Sequence, residues 1–134
     1  MIAYKVVEKK TRHGSNWMLI NLDGEKHKLT AKYKKYFPKY NVGATVKSIP
    51  DSVGILCFKE KHNAMGFIGS YGLEEHAKVV RVDGEGKITS NPMIFGGCGT
   101  YPKTIVECFE DNADRARYFA PCGSIGFEYV TVLE

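Results

Sequence analysis

The longest apolar run in this chain is residues 53–58, and its shortness limits what the chain can build. A helix that crosses a bilayer needs about 20 consecutive apolar residues, so no such span is expected. The apolar residues come instead in short bursts punctuated by Gly, Pro, Asp and Asn, the pattern of short strands joined by turns. With 134 residues and 43% hydrophobic content, the chain has a one-domain length and a globular composition. At that size folding buries roughly two-thirds of the unfolded surface, enough for a core without metal or disulfide help. The expected fold is α+β: a single domain over residues 1–134, mostly antiparallel sheet with two or three short helices packed on it.

The elements follow from local pattern. Ile2-Ala3-Tyr4-Lys5-Val6-Val7 is rich in strand formers. Trp17-Met18-Leu19-Ile20 and residues 26–29 flank Asp23-Gly24, a hairpin signal because both turn positions favour positive φ. Residues 44–49 and 54–58 read as further strands. Ala64, Met65, Phe67 and Ile68 have helical spacing, with Gly69 and Gly72 to stop the helix. Residues 77–82 read as a strand, 83–86 as a turn, and 87–89 as the returning strand. Residues 90–102 contain Gly96, Gly97, Gly99 and two prolines and read as a long loop. Residues 104–109 form a strand. Asp111 or Asn112 then caps a short helix carrying Ala113, Ala116, Phe119 and Ala120, stopped by Pro121. Residues 127–133 alternate as a last strand. The pairing of residues 55–58 with Ala64 and Phe67 is echoed by 106–109 with Ala116 and Phe119, two similar strand–helix units.

No secretory signal opens the chain, since residues 1–7 run into Glu8-Lys9-Lys10. The expected location is cytoplasmic. Cys57, Cys98, Cys108 and Cys122 then read as reduced thiols, some packed as small hydrophobes. Their spacing contains no Cys-x-x-Cys pair and matches no zinc site. No metal or other cofactor is expected.

The net charge of +4 conceals an asymmetry. Residues 1–62 carry 13 Lys/Arg against 5 Asp/Glu, a balance of +8, while residues 63–134 carry 6 against 10, a balance of −4. Such a split draws a polyanion to one end, or packs the basic half of one subunit on the acidic half of another. The basic stretch Lys32-Tyr33-Lys34-Lys35-Tyr36-Phe37-Pro38-Lys39-Tyr40 interleaves ammonium groups with rings, which suits phosphates and bases. The same rings fall at i, i+3, i+4 and i+7, so they also read as the buried face of a helix that Pro38 cuts short. Arg115 and Arg117 are candidates to clamp a phosphate or to form helix-surface ion pairs. The ligand-binding set is therefore Lys32, Lys34, Lys35, Lys39, Tyr40, Arg115 and Arg117.

Catalytic signals are sparse. Gly96-Gly97-Cys98-Gly99-Thr100 offers backbone N–H groups and a thiol, which makes Cys98 a candidate nucleophile if a base activates it. The loop lacks the spacing of a phosphate-binding P-loop, and Gly84-x-Gly86 lacks the following helix of a dinucleotide site. No serine nucleophile elbow and no two-histidine helical pair occurs.

Several stretches in order carry a resemblance. Tyr4-Lys5-Val6 is followed by Gly54-Ile55-Leu56-Cys57-Phe58 with Ala64 and Phe67, then by residues 77–82 before Asp83-Gly84, and Ala120-Pro121-Cys122-Gly123-Ser124-Ile125 precedes Val130-Thr131-Val132-Leu133-Glu134. The order resembles small α+β proteins encoded by phages and other mobile elements. That implies an accessory protein acting in a host cytoplasm, where it binds host machinery or a nucleotide. The resemblance carries no catalytic motif. The expected function is a non-enzymatic binding protein whose basic surface holds a nucleic acid, a nucleotide or an acidic protein. The alternatives are a small enzyme built around residues 90–102 and a protein–protein inhibitor or self-associating subunit.

Overall fold

The structure, a computed structural model, describes residues 1–14, 38–49, 53–90, 92–95 and 117–134, with the backbone alone described for 93–95 and 117–119. Seven strands and one helix lie among them: β1 (Ile2–Glu8), β2 (Thr45–Lys47), β3 (Ile55–Phe58), α1 (Lys61–Ser70), β4 (Ala77–Ser90), β5 (Met93–Phe95), β6 (Arg117–Phe119) and β7 (Ser124–Val132). The architecture is mainly antiparallel sheet with a helix against it.

The sheet closes on itself. Its order is β2-β7-β3-β1-β4, and β4 also pairs with β7. Strand β1 runs against β4 from Ile2↔Asp83 to Glu8↔Ala77 and touches β3 at Tyr4↔Phe58. Strand β3 pairs with the first half of β7, from Phe58↔Ser124 to Ile55↔Phe127. Beyond β3 the same edge of β7 is taken over by β2, at Thr45↔Thr131 to Lys47↔Tyr129. Strand β4 covers the other edge of β7 and completes the ring. Closure satisfies the backbone groups that an open sheet leaves at its two edges.

Alternation in β1 explains why both of its faces are apolar. Ala3 and Val7 face the barrel interior with Ile55, Cys57, Val80, Val82, Ile125 and Phe127. Tyr4 and Val6 face outward into a second core with Phe58, Ala64, Ile68 and Leu73. Helix α1 supplies Ala64 and Ile68 to that second core. Gly72, at φ +63, ends the helix. The Leu73 N–H donates to the Ile68 carbonyl at 3.0 Å and the Gly72 N–H to the Gly69 carbonyl at 3.3 Å, the paired bonds of a glycine-stopped helix. Leu73 is then fully buried against Ile68. Within the apolar interior, β7 changes the parity that points inward, from Ile125 and Phe127 to Val130 and Val132.

Several expectations are corrected. Residues 83–86 are not a turn between two strands, because β4 runs unbroken from Ala77 to Ser90. Its first half pairs with β1 and its second with β7, and the register shifts between Glu85↔Tyr129 and Ile88↔Phe127. Gly86 and Lys87 thus oppose Glu128 alone, a bulge that Gly86 takes at φ +79. Gly84 is there for packing, since a Cβ at that position would run into the Phe127 ring. The C-terminal part of the helix expected to end at Ala120 is instead β6, paired with β5 at Met93↔Phe119, Ile94↔Tyr118 and Phe95↔Arg117; residues 111–116 lie outside the described residues. Both segments are β-favouring, and their mutual pairing overrides the helical spacing of the alanines. β5 likewise interrupts the loop expected over 90–102. Phe119 of the second strand–helix unit lies in β6, and the rest of that unit lies outside the described residues, while the first, β3 with α1, is present. Among the described residues the helix count is one rather than two or three.

The strands expected at 17–20, 26–29 and 104–109 and the ring-bearing helix before Pro38 lie outside the described residues. No helix among the described residues is long and apolar enough to cross a membrane.

Candidate functional site

After β1 the chain reverses through residues 9–12 and returns beside its own strand. Val7 bridges to Gly14, and His13 bridges to Lys39. The reversal turns on Arg12, a non-glycine residue at φ +61, a conformation that costs an L-residue about 1–2 kcal/mol. Its surroundings hold it there. Arg12 N–H donates to the Glu8 carbonyl at 3.0 Å, and Nε donates to the Tyr40 carbonyl at 2.7 Å. The Tyr40 N–H donates back to the Arg12 carbonyl at 2.9 Å. The guanidinium also reaches a Glu134 backbone oxygen at 2.7 Å.

This bridge joins two basic segments distant in sequence. The turn brings Lys9, Lys10, Arg12 and His13, and the other strand brings Lys39. Lys10 and Lys39 are exposed. Lys9 is exposed and donates to the Glu74 carbonyl at 3.1 Å. His13 Nδ1 lies 2.8 Å from the Thr11 hydroxyl. Burial, then the nearby Lys39 charge, lowers the His13 pKa, so the ring stays neutral near pH 7. The fixed positive charge at this end therefore comes from Lys9, Lys10, Arg12 and Lys39.

Directly inside the bridge lies a buried polar cluster. Lys5 projects from β1 at the same parity as Ala3 and Val7 and is 8% exposed. Its Nζ donates to the Leu56 carbonyl at 2.8 Å and stands 5.0 Å from the centroid of the Tyr40 ring. Loss of water lowers the Lys5 pKa, an effect that the Cys57 thiol partly opposes. Cys57, also buried, is pushed up to about 11 by the same desolvation against the pull of Lys5. Burial likewise raises the Tyr40 hydroxyl above its ordinary value. Burial disfavours the charged form of each of the three, while the pull between Lys5 and Cys57 works the other way.

Of the sequence candidates, Lys39 is exposed at the basic turn. Tyr40 is buried, its ring turned to Lys5 rather than to solvent. Arg117 sits on β6 opposite Phe95. Lys32, Lys34, Lys35, Arg115 and Cys98 lie outside the described residues. Sequence reading missed Lys5, Arg12, His13 and Gly14. The signal for Lys5 was its position between Ala3 and Val7 in an otherwise apolar strand parity. Cys57 and Cys122 are free thiols, one buried and one exposed. Among the described residues no group of His, Cys, Asp or Glu is placed to hold a metal ion.

No protein-family model matches the chain, and no curated protein or solved structure matches it.

Proposed function

We propose that this protein is a non-enzymatic binder of polyanions, with single-stranded nucleic acid as its partner. The observation that carries the reading is the His13↔Lys39 bridge. It sets the end of the basic aromatic stretch, at Lys39, against the basic turn, so charges separated in sequence act as one field. A small closed antiparallel barrel is a rigid platform for such a surface, and barrels of this size bind oligonucleotides across basic faces. That comparison is by architecture alone, and the charge cluster carries the claim.

Fluorescence anisotropy with a labelled single-stranded oligonucleotide tests it. Affinity is expected to fall as salt rises, with a log–log slope of about −0.7 for each phosphate neutralised. The Lys10→Glu/Lys39→Glu double variant, with both changes on exposed side chains, is expected to weaken binding at least tenfold and flatten that slope. An affinity indifferent to salt, or a double variant that binds like the parent, refutes the reading.

A further inference from the structure

Among the residues whose side chains are described, Tyr71 carries the only aromatic ring more than half exposed, at 53%. It caps the C-terminus of α1 and stands against Phe67, with ring centroids 4.8 Å apart. Phe67 stands 5.6 Å from Phe58, which is buried in the outer core. The three rings form a ladder that rises from the core and ends in water. Stopping the helix does not call for a ring, since Gly72 supplies the turn. The Tyr71 hydroxyl makes no hydrogen bond among the described residues. The last ring is thus held from below and open above.

It lies at the basic end of the sheet. Helix α1 begins shortly after Phe58, which pairs with Tyr4 in the middle of β1. The loop after α1 delivers the chain to Ala77, opposite Glu8 at the end of β1. The helix therefore runs toward the turn at residues 9–12. Lys9 fastens that turn to the loop twice: its N–H donates to the His76 carbonyl at 2.8 Å, and its Nζ to the Glu74 carbonyl at 3.1 Å. On the other side of β1 the Glu8 N–H donates to the His13 carbonyl, and His13 bridges to Lys39. Three strand spacings of about 4.8 Å each therefore separate Ala77, where the loop ends, from Lys39. The turn with Lys9 and Lys10 lies between them.

The same loop carries the exposed carboxylates Glu74 and Glu75. They repel a phosphate at the ring but leave a neutral base unopposed. We propose that Tyr71 is the stacking platform for a nucleobase of the bound strand, whose phosphates run from Lys9 and Lys10 toward Lys39. This deepens the polyanion reading and rests on it for the strand. A ring face accepts any base, because every base has a π-face to lay on it, so the site recognises bases without reading their sequence.

Fluorescence anisotropy on the whole chain compares a labelled oligothymidylate with a strand of equal length built of abasic residues, which keeps the phosphates and lacks the bases. Wild type is expected to bind the abasic strand about tenfold more weakly. Tyr71→Ala is expected to bind the oligothymidylate about tenfold more weakly than wild type does, and the abasic strand equally well. Its salt slope is expected to be unchanged, because no phosphate contact is lost. Tyr71→Phe keeps the ring and is expected to bind both strands like wild type. A Tyr71→Ala protein that holds the oligothymidylate like wild type overturns the proposal. So does one that loses both strands equally, or a Tyr71→Phe protein that binds no better than the alanine variant. Failure of the two readings is distinguishable. Salt-dependent binding of both strands alike removes the stacking site and keeps the polyanion reading. Salt-independent binding of the oligothymidylate alone, lost in Tyr71→Ala, does the reverse. Binding of neither strand overturns both.

Discussion

Replacing Lys5 by methionine is expected to stabilise the protein near pH 7. Methionine matches the stem in length and fits an irregular apolar space. The change gives up the bond to the Leu56 carbonyl, worth about 1.5–3 kcal/mol if the amine is charged and about 1 kcal/mol if neutral. It also gives up a contact over the Tyr40 ring of about 1 kcal/mol. Against these stands the desolvation of an amine only 8% exposed, several kcal/mol for an ion without a carboxylate partner. Swapping a buried charged group for a hydrophobe of similar volume is commonly neutral to favourable by 1–4 kcal/mol, and a gain of about 1–2 kcal/mol is expected here. The pH profile is the sharper readout. Because burial holds the folded Lys5 pKa below 10.5, the unfolded chain binds a proton that the folded chain lacks between those values. Wild-type stability therefore rises with pH through that window, by at most about 1.4 kcal/mol per unit. Cys57 works the other way: its pKa rises from 9.0 to about 11 on folding, so stability falls across that interval. Above pH 9.0 the two effects oppose each other, so the Lys5 rise is offset there. Lys5→Met removes the rising limb and keeps the falling one. Urea unfolding at pH 6, 7, 8, 9 and 10 measures both limbs. A methionine variant less stable than wild type at pH 7, with a profile parallel to it, would refute the reasoning.

Phe127 is fully buried and is the largest such side chain among the described residues, so Phe127→Ala is expected to cost about 3–5 kcal/mol in urea unfolding. Gly84→Ala drives a methyl group into that same ring and is expected to cost about 1–3 kcal/mol by overpacking; a neutral result would show that Phe127 moves aside freely. Gly72→Ala forces a side chain into a left-handed position at the end of α1 and should lower stability by about 1 kcal/mol, read as a shift in urea midpoint. In the native protein an aromatic disulfide reagent, with the modified peptides mapped by mass spectrometry, is expected to label exposed Cys122 quickly and buried Cys57 only on unfolding.

The strands most legible in the sequence are those whose residues suit only one environment. In β1, β3 and β7, β-branched and aromatic side chains leave little choice of element, and Gly72 marks the end of α1. The double role of β4 was not legible. Asp83-Gly84-Glu85-Gly86 has the composition of a turn, and only the Phe127 ring, contributed by a strand more than forty positions later, shows that Gly84 is needed for room. β6 was hidden for the same reason, since its partner β5 lay in a segment that glycine and proline made look like loop. At the site, composition pointed to Lys39, but the bridge to His13 depends on how Arg12 turns the chain, which no local pattern encodes. Tyr40 read equally well as a stacking surface or a buried ring, and its place over Lys5 is a tertiary fact.

β7 is the seam of the barrel: β3 and β2 lie along one edge and β4 along the other. Without β7 the other described strands of this sheet form no closed ring, and the margins at β3 and β4 lack their partner. During synthesis the chain must therefore carry those margins unprotected until residues 124–132 emerge, and the closing contacts span most of its length. Sequence-distant closure of this kind makes for slow folding, in the millisecond-to-second range, and leaves the nascent chain open to edge-to-edge aggregation until those residues pair.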